Sequence, residues 1–191
     1  MTHFNHFDFL APYYDRFIKP SDPARFCALT GLPVSGRLLD AGGGTGRKTS
    51  SLLSMVTDTV IADSSMGMLA QASKKGGIKT ICAESERLPF DDESFERVIM
   101  VDALHHVYDY RSTAKELWRV VKPGGRIVIE EPDIRTMPVK IMAIIEKLAL
   151  MRSHFISPQK IAISFTYPNA KVNIEVEDST AWIVINKQVE K

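Results

Sequence analysis

The chain has 191 residues, enough for one domain with a real core and too few for two ordinary ones. With 45% hydrophobic residues, 25% charged residues and a net charge of +1, it reads as a soluble globular protein with no global pull toward nucleic acid or an anionic membrane. Its two cysteines, Cys27 and Cys82, offer neither a disulfide framework nor a zinc spacing, which suits a reducing, cytoplasmic compartment.

The opening "MTHFNHFDFL" has no basic stretch and no continuous apolar run, so it does not read as a signal peptide. His3 and His6 have a ligand-like spacing but read as part of a flexible terminus. "GRLLDAGGGTG" reads as a short apolar strand ending at Asp40, followed by a glycine turn. Leu52, Leu53 and Val56 in "RKTSSLLSMV" have helical spacing. "DTVIAD" is a second strand closed by an acid, Asp63, and "SSMGMLAQASKKGG" a helix stopped by Gly76 and Gly77.

"IKTICAE" and "FERVIMVD" follow as strands, the second with a continuous apolar run expected of a strand buried on both faces. "STAKELWRVVKPGG" predicts a helix capped by Ser112, with Ala114, Leu117, Trp118 and Val121 on one face, ended by Pro123-Gly124-Gly125. "RIVIEE" is a fifth strand. Strands separated by helix-length segments imply parallel crossovers and a doubly wound sheet. After Pro132, "VKIMAIIEKLALM" is an amphipathic helix, too short and too broken by Glu146 and Lys147 to span a bilayer. "SPQKIAISF" is a second short helix. Val172, Ile174 and Val176, then Trp182, Val184 and Asn186, alternate around "EDST" as an antiparallel edge hairpin.

The glycine turn is the candidate ligand site, because ligands of open parallel sheets bind beyond the carboxyl ends of the strands. Gly42, Gly44 and Gly46 are spaced G-x-G-x-G, not the G-x-G-x-x-G of dinucleotide sites, and Gly43 with Gly46 does not restore that spacing. Asp40, two residues ahead of Gly42, would repel a pyrophosphate and suits a ligand with a positive end. Asp63, 23 residues after Asp40, stands where a carboxylate accepts hydrogen bonds from ribose hydroxyls, a need common to both cofactor classes.

"LLDAGGGTG", "VIADSSMGMLAQASKK", "AESERLPFDDESFERVIMVDALHHVYD" and "ELWRVVKPGGRIVIEEP" resemble, in order and spacing, successive motifs of class I S-adenosylmethionine-dependent methyltransferases. The closest likeness is to the ubiquinone/menaquinone-biosynthesis type, and "FDFLAPYYDRF" looks like that group's N-terminal cofactor-covering helix. The resemblance runs from about Phe7 to Pro132 and is weak in the last third, where the family keeps much of its substrate specificity. It implies an α/β, Rossmann-like, mostly parallel sheet of about seven strands with the C-terminal hairpin antiparallel. It also implies one methyltransferase domain over 1–191: covering helices in 1–36, a cofactor core in 37–132, and acceptor-pocket elements in 133–191.

The site residues it implies are these. The backbone at Gly42, Gly43, Gly44 and Gly46 would pass under the methionine part of S-adenosylmethionine, with Asp40 favouring its ammonium. Asp63 would hold the ribose, with Ser64 and Met68 packing sugar and adenine. Glu84 would accept from the adenine amino group, although aspartate is commoner there, and Ser85 would offer its backbone N–H. Val101 would line the methionine, and Tyr14 would close over the sulfonium, whose charge an aromatic face attracts.

His105 and His106 could serve as a base, but read as a strand cap or loop packing; no catalytic base is assigned. Trp118 and Trp182 read as packing, and residues 91–94 as a solvated turn. The reading is a methyltransferase acting on a small, partly apolar acceptor, with no metal, no nucleic-acid partner and no stable membrane insertion. The fourth strand ends "VDALHH", unlike the Asn/Asp-Pro-Pro-Tyr/Phe motif of enzymes that methylate nucleic-acid amino groups. Two alternatives stay open from the residues: an NAD(P)-dependent oxidoreductase, and an S-adenosylmethionine-binding module without activity.

Overall fold

Runs of Leu, Ile, Val and Ala too short for helices become strands because both of their faces can be buried. In the computed structural model, which describes residues 23–148 and 153–190, these runs form one seven-stranded sheet. The strands are β1 (Arg37–Ala41), β2 (Asp58–Asp63), β3 (Lys79–Cys82), β4 (Phe95–Val101), β5 (Val121–Pro132), β6 (Ala170–Glu177) and β7 (Thr180–Lys187). Their order is β3-β2-β1-β4-β5-β7-β6, with the first five parallel and β7 antiparallel to both of its neighbours. The sheet class and the antiparallel hairpin match the sequence reading.

The hairpin differs from expectation in one respect. β6 is the edge and alternates, but β7 sits between β5 and β6, and Ala181 through Ile185 are all buried. β7 is covered on both faces, Trp182 and Val184 by the cluster around Phe26 and Ile183 and Ile185 by the cluster around Ile161 and Phe165, so only β6 shows the period of two.

Helices cover both faces. On one, Phe26 of α1 (Pro23–Thr30) packs with Leu38, Leu52, Ile99, Val128, Trp182 and Val184. On the other lie α3 (Tyr110–Val120), which buries Thr113, Ala114, Leu117 and Val120, and α5 (Pro158–Ile163), which buries Ile161. Between these in the chain come α2 (Met66–Ser73) and α4 (Met137–Leu148).

Two local expectations are corrected. The segment after the glycine turn is not an α-helix but two 3₁₀ turns, Thr49–Ser51 and Leu53–Met55. The chain must run back along β1 before Asp58, and at about 2.0 Å per residue a 3₁₀ path covers that distance in fewer residues than an α-helix at about 1.5 Å. The cap of α3 is Asp109, whose carboxylate accepts from the Arg111 N–H; Ser112 donates to that cap instead of being it. Nor do Pro123-Gly124-Gly125 end α3. They form an interruption inside β5, between the Phe95–Val121 and Arg97–Arg126 pairs, while Lys187 Nζ closes the helix end on the Val121 carbonyl at 2.9 Å.

Two glycines give a matched test of backbone against packing. Gly46 and Gly76 have φ of +71° and +69°, but a Cβ on Gly46 would stand 2.9 Å from Ile61 Cδ1, whereas one on Gly76 meets nothing within 4 Å. Gly76→Ala should cost about 1–2 kcal/mol from the left-handed backbone alone. Gly46→Ala should cost more, read as the larger fall in melting temperature.

Candidate active site

The sheet order reverses at β1: β2 and β3 lie to one side of it, β4 and β5 to the other. Crossovers leaving in opposite directions open a crevice above the carboxyl ends of β1 and β4. The glycine turn floors that crevice. The Gly42 N–H donates to the Ala62 carbonyl at 2.7 Å, and a Cβ at Gly42 would lie 2.7 Å from the Cβ of Ala103, so the turn and the exit of β4 touch. A Cβ at Gly43 would collide with the Asp40 carboxyl, 2.6 Å away. Gly44 differs: at φ +53°, its Cβ would reach no nearer than 4.0 Å to Asp63 Oδ2 and Met68 Sδ. Gly42, Gly43 and Gly46 are therefore glycine for packing, and Gly44 opens onto space walled by Asp63 and Met68.

Asp40 is buried at the end of β1. One carboxylate oxygen takes the Thr49 hydroxyl, and the other, Oδ1, is buried with no partner among the described residues. Burial pushes its carboxyl up to about 7, the Asp63 charge adds to the rise, and the Thr49 bond with the Lys48 and Arg47 charges opposes it. An unsatisfied buried carboxylate oxygen costs free energy and is relieved by a cationic N–H donor. The ammonium of an amino acid supplies one, and a pyrophosphate does not.

Asp63 spans two elements. Its Oδ2 accepts from the Gly44 N–H at 2.9 Å and its Oδ1 from the Ser65 N–H at 2.8 Å. It is not the N-cap of α2; that is Ser65, whose hydroxyl accepts from the Met68 N–H at 3.1 Å. Met68 is buried against the open side of Gly44. Ser64 is exposed beside them, and the Ala83 N–H donates to the Asp63 carbonyl, leading into exposed Glu84 and buried Ser85. Val101 closes β4 and pairs with Glu130. Asp40, the glycines, Asp63, Met68 and Val101 thus share the strand-end face, with Ser64, Glu84 and Ser85 at its β2–β3 end. Tyr14 lies outside the described residues.

The larger finding is a group of acids and bases on the β4–β5 side. Glu131, buried at the end of β5, accepts from the Ala103 and Leu104 N–H groups at 3.0 and 2.7 Å with one oxygen and meets His105 Nδ1 at 2.6 Å with the other. Its neighbour Glu130 points to the opposite face, where Trp182 Nε1 donates to it at 2.7 Å and Lys48 Nζ stands 3.4 Å away. Asp102 has φ +51°, and burial, with Glu131 and Glu130 adding, pushes its carboxyl up to about 6. Arg47 lies 3.8 Å from it, with its own Nε buried and unpartnered among the described residues.

Past the exit of β4, His105 stacks on Phe155 with ring centroids 4.6 Å apart, and its carbonyl accepts from the His154 N–H at 2.6 Å. His106 contacts Ser153 Oγ at 3.3 Å, and burial with the His105 charge lowers its pKa to about 3, so its ring is neutral at physiological pH. The sequence reading named the histidines but missed Glu130, Glu131, Asp102, Arg47 and Lys48. The doubled acid of "VIEEP" at a strand end was the available signal, the same one that marks Asp63.

Asp40 makes a pH test with a definite sign. Its carboxyl titrates higher in the fold than in the unfolded chain, so its contribution to stability is full below about pH 4 and is lost as pH rises through about 7. The isosteric Asp40→Asn variant should unfold near the wild-type temperature at pH 4 and above it at pH 8, as followed by thermal denaturation without ligand. Glu131→Ala strips the partners from two backbone N–H groups and a histidine and should cost about 3 kcal/mol or more. Glu131→Gln keeps a carbonyl oxygen for the N–H groups and should cost less, measured by urea unfolding.

Residues 39–129 match the family model described as a methyltransferase domain. The chain is 33% identical over 156 residues, 82% of its own length, to a demethylmenaquinone methyltransferase of Mycobacterium sp. strain KMS, and it spans 65% of that relative. Among solved structures, a SAM-dependent methyltransferase from Aquifex aeolicus aligns with a TM-score of 0.74 at 18% identity, over 96% of this chain and 98% of that one. The [4+2]-cyclase SpnF aligns equally well, TM-score 0.74 at 15% identity, over 92% of this chain and 81% of that one, so the fold alone does not carry the reaction. The domain match and the sequence identity show that this chain carries a class I S-adenosylmethionine-dependent methyltransferase domain.

Proposed function

We propose that this chain transfers the methyl group of S-adenosylmethionine to a small, partly apolar acceptor of the aromatic, quinol-like class. The observation that carries the donor half is the unpartnered buried oxygen of Asp40 beneath a turn that opens at Gly44. Bound S-adenosylmethionine supplies a methyl group already activated on a cationic sulfur.

The residues divide by the chemistry each can meet. Asp40 takes the ammonium, the backbone of Gly42 to Gly46 and Val101 line the methionine chain, and Asp63 takes the ribose hydroxyls. Ser64 and Met68 pack sugar and adenine, Glu84 and the Ser85 N–H read the adenine edge, and Tyr14 covers the sulfonium. On the acceptor side, the stacked His105 and Phe155 with a neutral His106 make a π-rich wall suited to a ring. Glu131 holds that wall against the end of β5. The relatives' name, demethylmenaquinone methyltransferase, supports an aromatic acceptor, while the chain's shorter span leaves the whole activity of those enzymes a proposal for this one. Residues 37–132 serve as the cofactor core and 133–191 as acceptor elements of a cytoplasmic enzyme, with Cys27 and Cys82 as free thiols.

Calorimetric titration with S-adenosylhomocysteine tests the donor half. Wild type should bind more tightly at pH 8 than at pH 6, because the ionised form of Asp40 receives the ammonium. Asp40→Asn should bind about tenfold or more weakly at pH 8. Nicotinamide dinucleotide binding without S-adenosylhomocysteine binding overturns the reading. Release of labelled methyl to naphthoquinols or phenols, and not to amines, is expected from the acceptor half.

A further inference from the structure

The helix α4 shows a large apolar surface that the site does not use. Met137, Ile141, Ile144 and Ile145 are 66%, 53%, 61% and 60% exposed, while Val139 is 3% exposed. At 3.6 residues per turn the four exposed residues fall within an arc of about 100°, and Val139 falls nearly opposite. The helix is seated by Val139 and turns its isoleucines outward. Lys140 and Lys147, both exposed and two turns apart, lie together on one border of the arc, and exposed Arg135 precedes the helix.

We propose that α4 is a docking surface for an anionic lipid bilayer, lying in the headgroup plane with its isoleucine stripe in the acyl boundary. An outward apolar arc bordered by lysines is the pattern of an interfacial helix: the stripe enters the apolar layer while the ammonium groups reach lipid phosphates. Charge decides for lipid over a second copy of the chain. Arg135 is paired with Asp133, but a twofold contact pairs each patch with itself and would bring two sets of these lysines to one interface.

The position fits the rest of the molecule. α4 starts five residues after Pro132, at the carboxyl end of β5, and the chain beyond it returns at Ser153 to Phe155 against His105 and His106. A bilayer on this helix therefore lies beside the proposed acceptor wall and offers a lipid-borne acceptor a short path. Only that last step rests on the proposed function, since vesicle binding needs neither donor nor acceptor.

The test is sedimentation of the full chain with vesicles of phosphatidylcholine alone or with about a third phosphatidylglycerol, at about 50 and 300 mM salt. Wild type should bind the anionic vesicles, and less so at high salt. The double variant Ile144→Glu, Ile145→Glu should lose binding about tenfold or more while keeping its melting temperature, because both side chains are exposed. Lys140→Glu with Lys147→Glu should lose the salt-sensitive part. The proposal is overturned if wild type ignores anionic vesicles or if the isoleucine variant binds equally. It is also overturned if that variant melts much lower, which would mean that the chain itself covers the stripe. A wild-type dimer dissolved by the variant would likewise assign the stripe to a second copy.

Discussion

A carboxylate removed from water must find hydrogen-bond donors or cations, and in this molecule that requirement shapes the loops after β1, β2 and β4 at the working end of the sheet. β1, β2 and β5 each place an acid within two residues of their carboxyl ends: Asp40, Asp63, and Glu130 with Glu131. Each draws in the chain that follows or lies beside it. Asp40 takes Thr49, Asp63 takes Gly44 and Ser65, and Glu131 takes residues 103 to 105. The crevice is thus made by strands that end in groups unable to stay unpaired, and the glycines let the backbone come close enough to pair them. Among the described residues, Asp40 Oδ1 has no partner and is left for a ligand to satisfy.

The two glutamates also join the halves of the molecule. Glu130 binds Trp182 of the hairpin and faces Lys48, which lies 3.9 Å from the centre of the Phe26 ring. Arg25 stacks over Trp182 at 4.5 Å and pairs with Glu175 and Glu177 of β6. One layered contact therefore runs from the exit of the glycine turn through β5 and β7 to α1. Lys48 is held by residues from two distant parts of the chain, Phe26 and Glu130, so the helix that leads toward the N-terminal segment is indexed to the cofactor turn.

The sequence made the strands and the glycine turn legible because both follow from local rules: apolar runs with two buried faces, and glycines behind a strand. Asp63 was legible because an acid at a strand end beside such a turn has few other uses. The helix after the turn was misread because apolar spacing fits a 3₁₀ path as well as an α-helix, and the available length decides between them. Asp109 was passed over for Ser112 because both are good caps and only the backbone at the helix start distinguishes them. The doubled acid at the end of β5 was a visible signal, but the partner of Glu130 depends on β7 lying against β5, a pairing with Trp182 that no local pattern encodes.

That same insertion governs the order in which the molecule can be completed during synthesis. β7 leaves the ribosome after every other strand of the sheet, yet it fills the slot between β5 and β6. Until it arrives, β5 has a bare flank, β6 has no neighbour, and Glu130 waits for the indole that satisfies it. A nascent chain can therefore assemble the β1–β5 half early, but the Trp182 side of the layered contact closes only once β7 has emerged.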